Sequence, residues 1–163
     1  MVAYNNFGWD FFMIDCWLSG NHGAGFASNG QGSSAMTLTA NRIEWNGRQG
    51  FLLADDSSFL QITGNYLDRN SLAGIVAIHA AGETWRSEHF TLTGNLFYRN
   101  GATAPKNSAD SAHLRLEGAG GVACVGNSFH GGGPDFNDQG ESSPSYGIYY
   151  RNLVNCVVIP DLC

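Results

Sequence analysis

The sequence predicts an all-β protein: a right-handed parallel β-helix of about five to six coils, in one domain over residues 1–163. Three observations carry that expectation. One short phrase is rewritten along the whole chain, apolar residues alternate with polar or small ones inside each copy, and asparagines recur at the same two places in the phrase. No stretch of useful length has a helical period.

In chain order the copies are Phe11-Phe-Met-Ile-Asp-Cys-Trp-Leu-Ser-Gly-Asn21, Met36-Thr-Leu-Thr-Ala-Asn-Arg-Ile-Glu-Trp-Asn46, Leu60-Gln-Ile-Thr-Gly-Asn-Tyr-Leu-Asp-Arg-Asn70 and Phe90-Thr-Leu-Thr-Gly-Asn-Leu-Phe-Tyr-Arg-Asn100. Val122-Ala-Cys-Val-Gly-Asn-Ser-Phe129 is a looser copy, and Val154-Asn-Cys-Val-Val-Ile159 a faint last one. Superposing them places Phe11, Met36, Leu60, Phe90, Val122 and Val154 in one column. Met13, Leu38, Ile62, Leu92, Cys124 and Cys156 form a second, two residues on. That spacing is the period of a half-buried strand. Beyond a corner at Asn41, Asn65, Asn95 and Asn127 (Cys16 in the first copy), Leu18, Ile43, Leu67, Phe97 and Phe129 point inward again. After the second asparagines a further strand opens at Gly25-Phe26, Gly50-Phe51, Gly74-Ile75 and Gly147-Ile148, with Leu114 taking that part in the fourth copy. Strands this short must pair with their equivalents one copy away, so the copies stack as coils, each adding ~4.8 Å of axial length.

Each asparagine column has a physical reason. An amide tolerates a bent backbone, bonds the groups a corner leaves over, and can bond the amide above it as in a fibrillar ladder. Cys124 and Cys156 fall in one inward column, as two thiols filling a core or as an inter-coil disulfide. Loop-like inserts interrupt the coils near 80–89, 101–112 and 131–146, and long loops on a rigid scaffold are where function tends to sit. Neither end reads as a polar cap, which predicts a piece of a longer helix or ends covered by partners.

Composition bounds the rest. Charged residues make up 13% of the chain and the formal charge is −6, which speaks against a nucleic-acid partner. No apolar run approaches a membrane span, and the first residues do not form a secretory signal. The four cysteines make no CxxC pair, so thiolate metal ligation is not expected.

The recurring Leu/Ile-Thr-Gly-Asn, seen at Ile62–Asn65 and Leu92–Asn95 and followed by Asn and Gly-Ile/Phe, resembles the pectate-lyase-like superfamily of right-handed β-helices. Within it the chain looks like relatives found in mannuronan epimerases, polysaccharide lyases and phage tailspike depolymerases. Val125-Gly-Asn-Ser-Phe-His130 through Tyr146-Gly-Ile-Tyr149 is similar to their closing coils. That resemblance implies an extended, in some cases acidic, polysaccharide held in a groove along one sheet. It also implies an extracellular, cell-surface or virion setting. Fold does not imply function, so the residues must supply a site.

In the strand after the Gly-Phe/Ile corner, Phe51, Leu53, Ile75, Ala77, Leu114, Leu116, Ile148 and Tyr150 are expected to point inward. Leu52, Ala54, Val76, Ile78, Arg115, Glu117, Tyr149 and Arg151 are expected to point out. Arg115 then lies beside Tyr149 and Glu117 beside Arg151, with His79, Asp55 and Asp56 near by. This cluster is the candidate catalytic site, or else a solvated row of cross-strand ion pairs. Glycoside hydrolysis needs two carboxyls, for which Glu117 and Asp56 qualify. A lyase or epimerase needs arginine to neutralise a uronate and a proton-transfer group, here Tyr149 or His79, since Lys106 is the only lysine. Trp85 and Arg86, in an insert, are candidate substrate-binding residues together with Asp55. Trp9 and Trp45 are further aromatics that could stack on sugars. Asp135-Phe-Asn-Asp-Gln-Gly140 looks like part of a calcium loop but lacks the closing glutamate; it reads as a turn, and no cofactor is expected beyond the calcium some relatives use. The rival to an enzyme is a structural shaft or adhesin segment. Its apolar outer residues Leu52, Val76 and Ile78 would then meet a homotrimer partner or a neighbouring β-helix segment.

Overall fold

Strands of three or four residues are too short to stand as independent hairpins, and here each takes its partners from the coils before and after it. The computed structural model describes residues 2–4, 10–28, 34–54, 58–79, 88–132 and 143–159. Three parallel sheets run along the helix axis. The first contains β1 (Val2–Tyr4), β4 (Phe26–Ser28), β7 (Phe51–Ala54), β10 (Ile75–Ile78), β13 (Ala112–Glu117) and β16 (Tyr146–Arg151). The second contains β2 (Phe12–Ile14), β5 (Thr37–Thr39), β8 (Leu60–Thr63), β11 (Glu88–Thr93), β14 (Gly120–Val125) and β17 (Val157–Val158). The third contains β3 (Trp17–Ser19), β6 (Arg42–Glu44), β9 (Tyr66–Asp68), β12 (Leu96–Tyr98) and β15 (Ser128–His130).

Register decides which residues touch, and it follows the repeated phrase. Leu38 sits on Ile62, Ile62 on Leu92 and Leu92 on Cys124. On the third sheet Ile43, Leu67, Phe97 and Phe129 stack in the same way. Phe51, Ile75, Leu114 and Ile148 form the inward column of the first sheet. One core lies between the three sheets, with most of these side chains fully buried. Phe97 and Phe129 stack with ring centroids 4.9 Å apart.

Two asparagine ladders close the corners. In the first, Nδ2 of Asn41, Asn65 and Asn95 each donates to Oδ1 of the next asparagine at 2.9 Å. The same nitrogen also donates to a carbonyl one coil back, at Met13, Leu38 or Ile62. Each Oδ1 further accepts a backbone N–H, as Asn65 does from Asn41 at 3.0 Å. Asn21, Asn46, Asn70 and Asn100 repeat the pattern at 2.7–2.8 Å. One residue ahead of each ladder the backbone takes a left-handed conformation. It is cheap at Gly64 and Gly94, whereas Trp45, Arg69 and Arg99 adopt it at φ 50–56° against a penalty of ~1 kcal/mol or more each.

His113 departs from the repeat. It occupies the corner held by Gly50 and Gly74 in earlier coils, where a Cβ would meet the ladder amides of Asn70 and Asn100 at 3.0 Å. The ladder stops at Asn100, since Gly132 stands where the next asparagine would fall. The imidazole of His113 lies 6.2 Å from the ring of Phe97 and 6.1 Å from that of Phe129. Burial pushes it down to about 4, against a hydrogen bond with the His130 backbone.

The structure corrects several expectations. In the last coil Ala123 pairs with Val157 and Cys124 with Val158, so Val154 and Cys156 stand two residues out of the expected columns. The 34-residue offset between Leu114 and Ile148 on the first sheet carries into the second, and the likeness of Val-Ala-Cys to Val-Asn-Cys hides it. Cys124 and Cys156 therefore lie in different columns and do not pair with each other. Tyr150 holds an inward register opposite Leu116 but is 65% exposed, because β16 ends its sheet. Val76 has the outward register and is nonetheless completely buried; it packs with Ala73 and Ala112 against half-buried Leu52, Ile78, Tyr146 and Tyr149. Of the apolar outer residues Leu52, Val76 and Ile78, Val76 is therefore covered within this chain while Leu52 and Ile78 stay half-buried. Of the inserts, Glu88 and His89 belong to β11, Ala112 to β13 and Tyr146 to β16.

Asn65→Ala removes a side chain bonded to both neighbouring coils, leaving one of the two Asn41 Nδ2 hydrogens and the side-chain bond to the Leu38 carbonyl unmade in the interior. It should cost about 4 kcal/mol in urea unfolding, whereas Thr91→Ala, exposed on the second sheet, should cost less than about 1 kcal/mol. Equal losses would contradict the ladder's part in holding the coils together. The neutral ring of His113 is the form the folded chain holds, so its contribution is complete above pH 6.5. It is lost at about 1.4 kcal/mol per pH unit as the pH falls from 6.5 towards 4. The stability difference between wild type and His113→Gln should shrink across that window; a constant gap from pH 7 to 4 would mean that the ring titrates normally.

Candidate ligand-binding face

Strands β13 and β16 do assemble the cluster expected on the first sheet. Arg115 pairs with Tyr149 and Glu117 with Arg151 across the strands. Glu117, only 5% exposed, accepts from Arg115 at 2.6 Å and from Arg151 at 2.5 Å, and Arg115 also donates to Asp110 at 2.8 Å. His79 is half-buried and its backbone N–H donates to the Glu117 carbonyl at 2.9 Å. Tyr149 lies 5.6 Å from Tyr146, ring to ring. The result is a row of two carboxylates and two guanidiniums that neutralise one another. Asp55, Asp56, Trp85, Arg86, Trp9 and the stretch 135–140 lie outside the described residues. Among the described residues no group of His, Cys, Asp and Glu could hold a metal ion.

The outer face of the third sheet is the arrangement the sequence reading missed. The residues flanking its inward column stack as Trp17, Arg42, Tyr66, Leu96 and Ser128, and as Ser19, Glu44, Asp68, Tyr98 and His130. The signal was present at alternate positions after each first-ladder asparagine, but it is a change of residue type from coil to coil and shows no period. One aromatic or imidazole ring per coil results, at Trp17, Trp45, Tyr66, Tyr98 and His130. They span about 19 Å along the axis.

Electrostatics holds four of these rings, Trp17, Trp45, Tyr66 and Tyr98, in place. Glu44 accepts from the indole N–H of Trp17 and from Arg42 Nε, both at 2.9 Å. Asp68 accepts from Arg99 at 3.0 and 2.7 Å, from Arg69 at 2.8 Å and from the Tyr66 hydroxyl at 3.2 Å. Burial pushes the Asp68 carboxyl up, while Arg99 and Tyr66 pull it back down. Each guanidinium also covers a ring: Arg42 is 5.0 Å from Tyr66 and 5.9 Å from Trp17, Arg69 is 4.6 Å from Trp45, and Arg99 is 3.8 Å from Tyr98. Tyr66 is shifted above the usual phenol range by burial and by Asp68, so it remains a phenol and acts as a donor.

Beside this network a concavity of about 430 Å³ opens between Tyr66, Leu96, Tyr98, His130 and Gly131. Its walls are aromatic faces carrying polar tips, which suits a ring that is apolar on its faces and hydroxylated at its edges. Glu44 and Asp68, the carboxylates of this face, are buried and bonded to neighbouring side chains.

With three sheets, stacked register and ladders in place, the comparison with known families has a clear outcome. The family model described as right handed beta helix region matches residues 3–130. The chain belongs to that right-handed β-helix family. No solved structure matches it significantly.

On the first sheet, Arg151→Ala removes an exposed arm of the ion row and should change stability by less than about 1 kcal/mol. Glu117→Ala leaves Arg115 without its main partner and should cost about 2–3 kcal/mol in the same urea titration. A larger loss for Arg151→Ala would overturn the reading of Glu117 as the row's centre.

Proposed function

We propose that the protein binds an extended polysaccharide along the outer face of its third sheet. The observation that carries this reading is the concavity between Tyr66, Tyr98 and His130, continued along the axis by Trp45 and Trp17. A polymer running parallel to the axis meets one ring per coil, and the rings of Trp17, Trp45, Tyr66 and Tyr98 are each held by a cation–π contact before the ligand arrives. Such preorganisation spares the ordering cost that flexible side chains bring to binding. The face is read as one that binds and not as a hydrolytic centre, because Glu44 and Asp68 are committed to Trp17, Arg42, Arg69, Arg99 and Tyr66. A polysaccharide ligand is consistent with a setting outside the cell, at its surface or on a virion. The neutralised row on the first sheet favours a second reading, a shaft whose surface charges are merely paired.

Affinity electrophoresis against a panel of soluble polysaccharides distinguishes the two. Tyr98→Ala and Tyr66→Ala should each weaken retention about 5- to 10-fold with the ligand that binds, while Arg151→Ala leaves it unchanged. Retention lost with Arg151→Ala but kept with Tyr98→Ala would move the site to the first sheet, and no retention of folded protein by any polymer would favour the shaft.

A further inference from the structure

Three guanidiniums meet two carboxylates on the third sheet, and they are not equivalent. Arg69 and Arg99 direct hydrogen bonds at Asp68, and their side chains are almost completely buried. Arg42 is different. Its side chain is 58% exposed, its Nε is tied to Glu44 at 2.9 Å, and its guanidinium lies between the rings of Trp17 and Tyr66. Its two Nη groups make no hydrogen bond to any of the described residues.

We infer that Arg42 is a specificity-determining residue of this face, pairing with the carboxylate of a uronic acid in the bound chain; the inference rests on the third sheet being the glycan-binding face. The geometry argues it in steps. A free arginine loses rotamer freedom when it binds, but this one is already held by two rings and a carboxylate. The Nη pair projects from a fixed plane, and a planar fork matches a carboxylate with two parallel hydrogen bonds. Trp17 and Tyr66 flank the guanidinium at 5.9 and 5.0 Å, so cation–π contacts help to fix its plane while its edge stays open to a ligand. A hydroxymethyl group in place of the carboxylate offers neither the charge nor the paired acceptors. Long-range attraction contributes nothing here, because the chain carries a formal charge of −6 and repels a polyanion at a distance. Discrimination has to arise at contact, and among the described residues of this face Arg42 has the outward-facing fork.

The test compares binding of uronic acid hexamers with that of the same hexamers after reduction of their carboxyls to primary alcohols, by isothermal titration on the intact chain. Wild type should bind the uronate form about 10-fold or more tightly than the reduced form, and added salt should narrow the ratio. Arg42→Gln should bring the two forms to equal affinity, and Arg42→Lys should keep part of the preference, since an ammonium has the charge but not the fork. Both variants should lower the melting midpoint, since buried Glu44 loses its Arg42 partner, and should remain folded at the titration temperature, which a thermal melt of each checks. Equal affinity of wild type for both forms would overturn the inference while leaving the binding face intact. A preference that survives Arg42→Gln would assign it to another residue. Binding of neither form would overturn this inference and the binding face together.

Discussion

The buried amide-to-amide bonds of the asparagine ladders are the constraint on which the rest of this structure depends. Each links three coils at once, through an Nδ2 that reaches a carbonyl behind and an Oδ1 ahead. A buried amide without those partners would be expensive, so one-residue slippage of any coil is penalised at both ladders. That penalty sets register on all three sheets. Register in turn decides that Leu38, Ile62 and Leu92 share a column, and that Glu44 and Asp68 stand on neighbouring coils.

The same constraint explains where the repeat can vary. Inward columns must be apolar and corner columns must be Asn, but outward positions answer only to their cross-coil neighbours. On the second sheet they include Phe12, Ile14, Thr37, Thr39, Gln61, Thr63, Thr91 and Thr93, without charge. On the first they become an ion row in the late coils, and on the third a lattice of rings and guanidiniums. The last arrangement carries a concavity with rings held for contact, whereas the ion row spends its charges on itself. Where the second ladder stops at Asn100, the glycine required beside it is also released, and His113 fills the corner. Two departures from the repeat are thus a single structural event.

Much of this was legible in the residues alone. Short apolar alternation with two fixed asparagines admits few folds, and the local pattern named both ladders, the inward columns and the Arg115–Tyr149 and Glu117–Arg151 neighbours. The candidate site was legible only in part: the sequence assembled Arg115, Glu117, Tyr149, Arg151 and His79, and their mutual neutralisation required distances. The third-sheet face was missed because its residues are unrelated in type from coil to coil, so no column announced them.

What the sequence by itself determined is the solenoid: its period, its core and its ladders, because each depends on a residue type repeated at one position. Tertiary structure alone decided that Val76 is covered, that Cys156 stands two residues out of the Cys124 column, and that Arg42 lies between Trp17 and Tyr66. Those outcomes depend on loop lengths and on side chains from different coils meeting across a sheet. Periodicity records which way a residue points, and only the stacked coils record what it meets there.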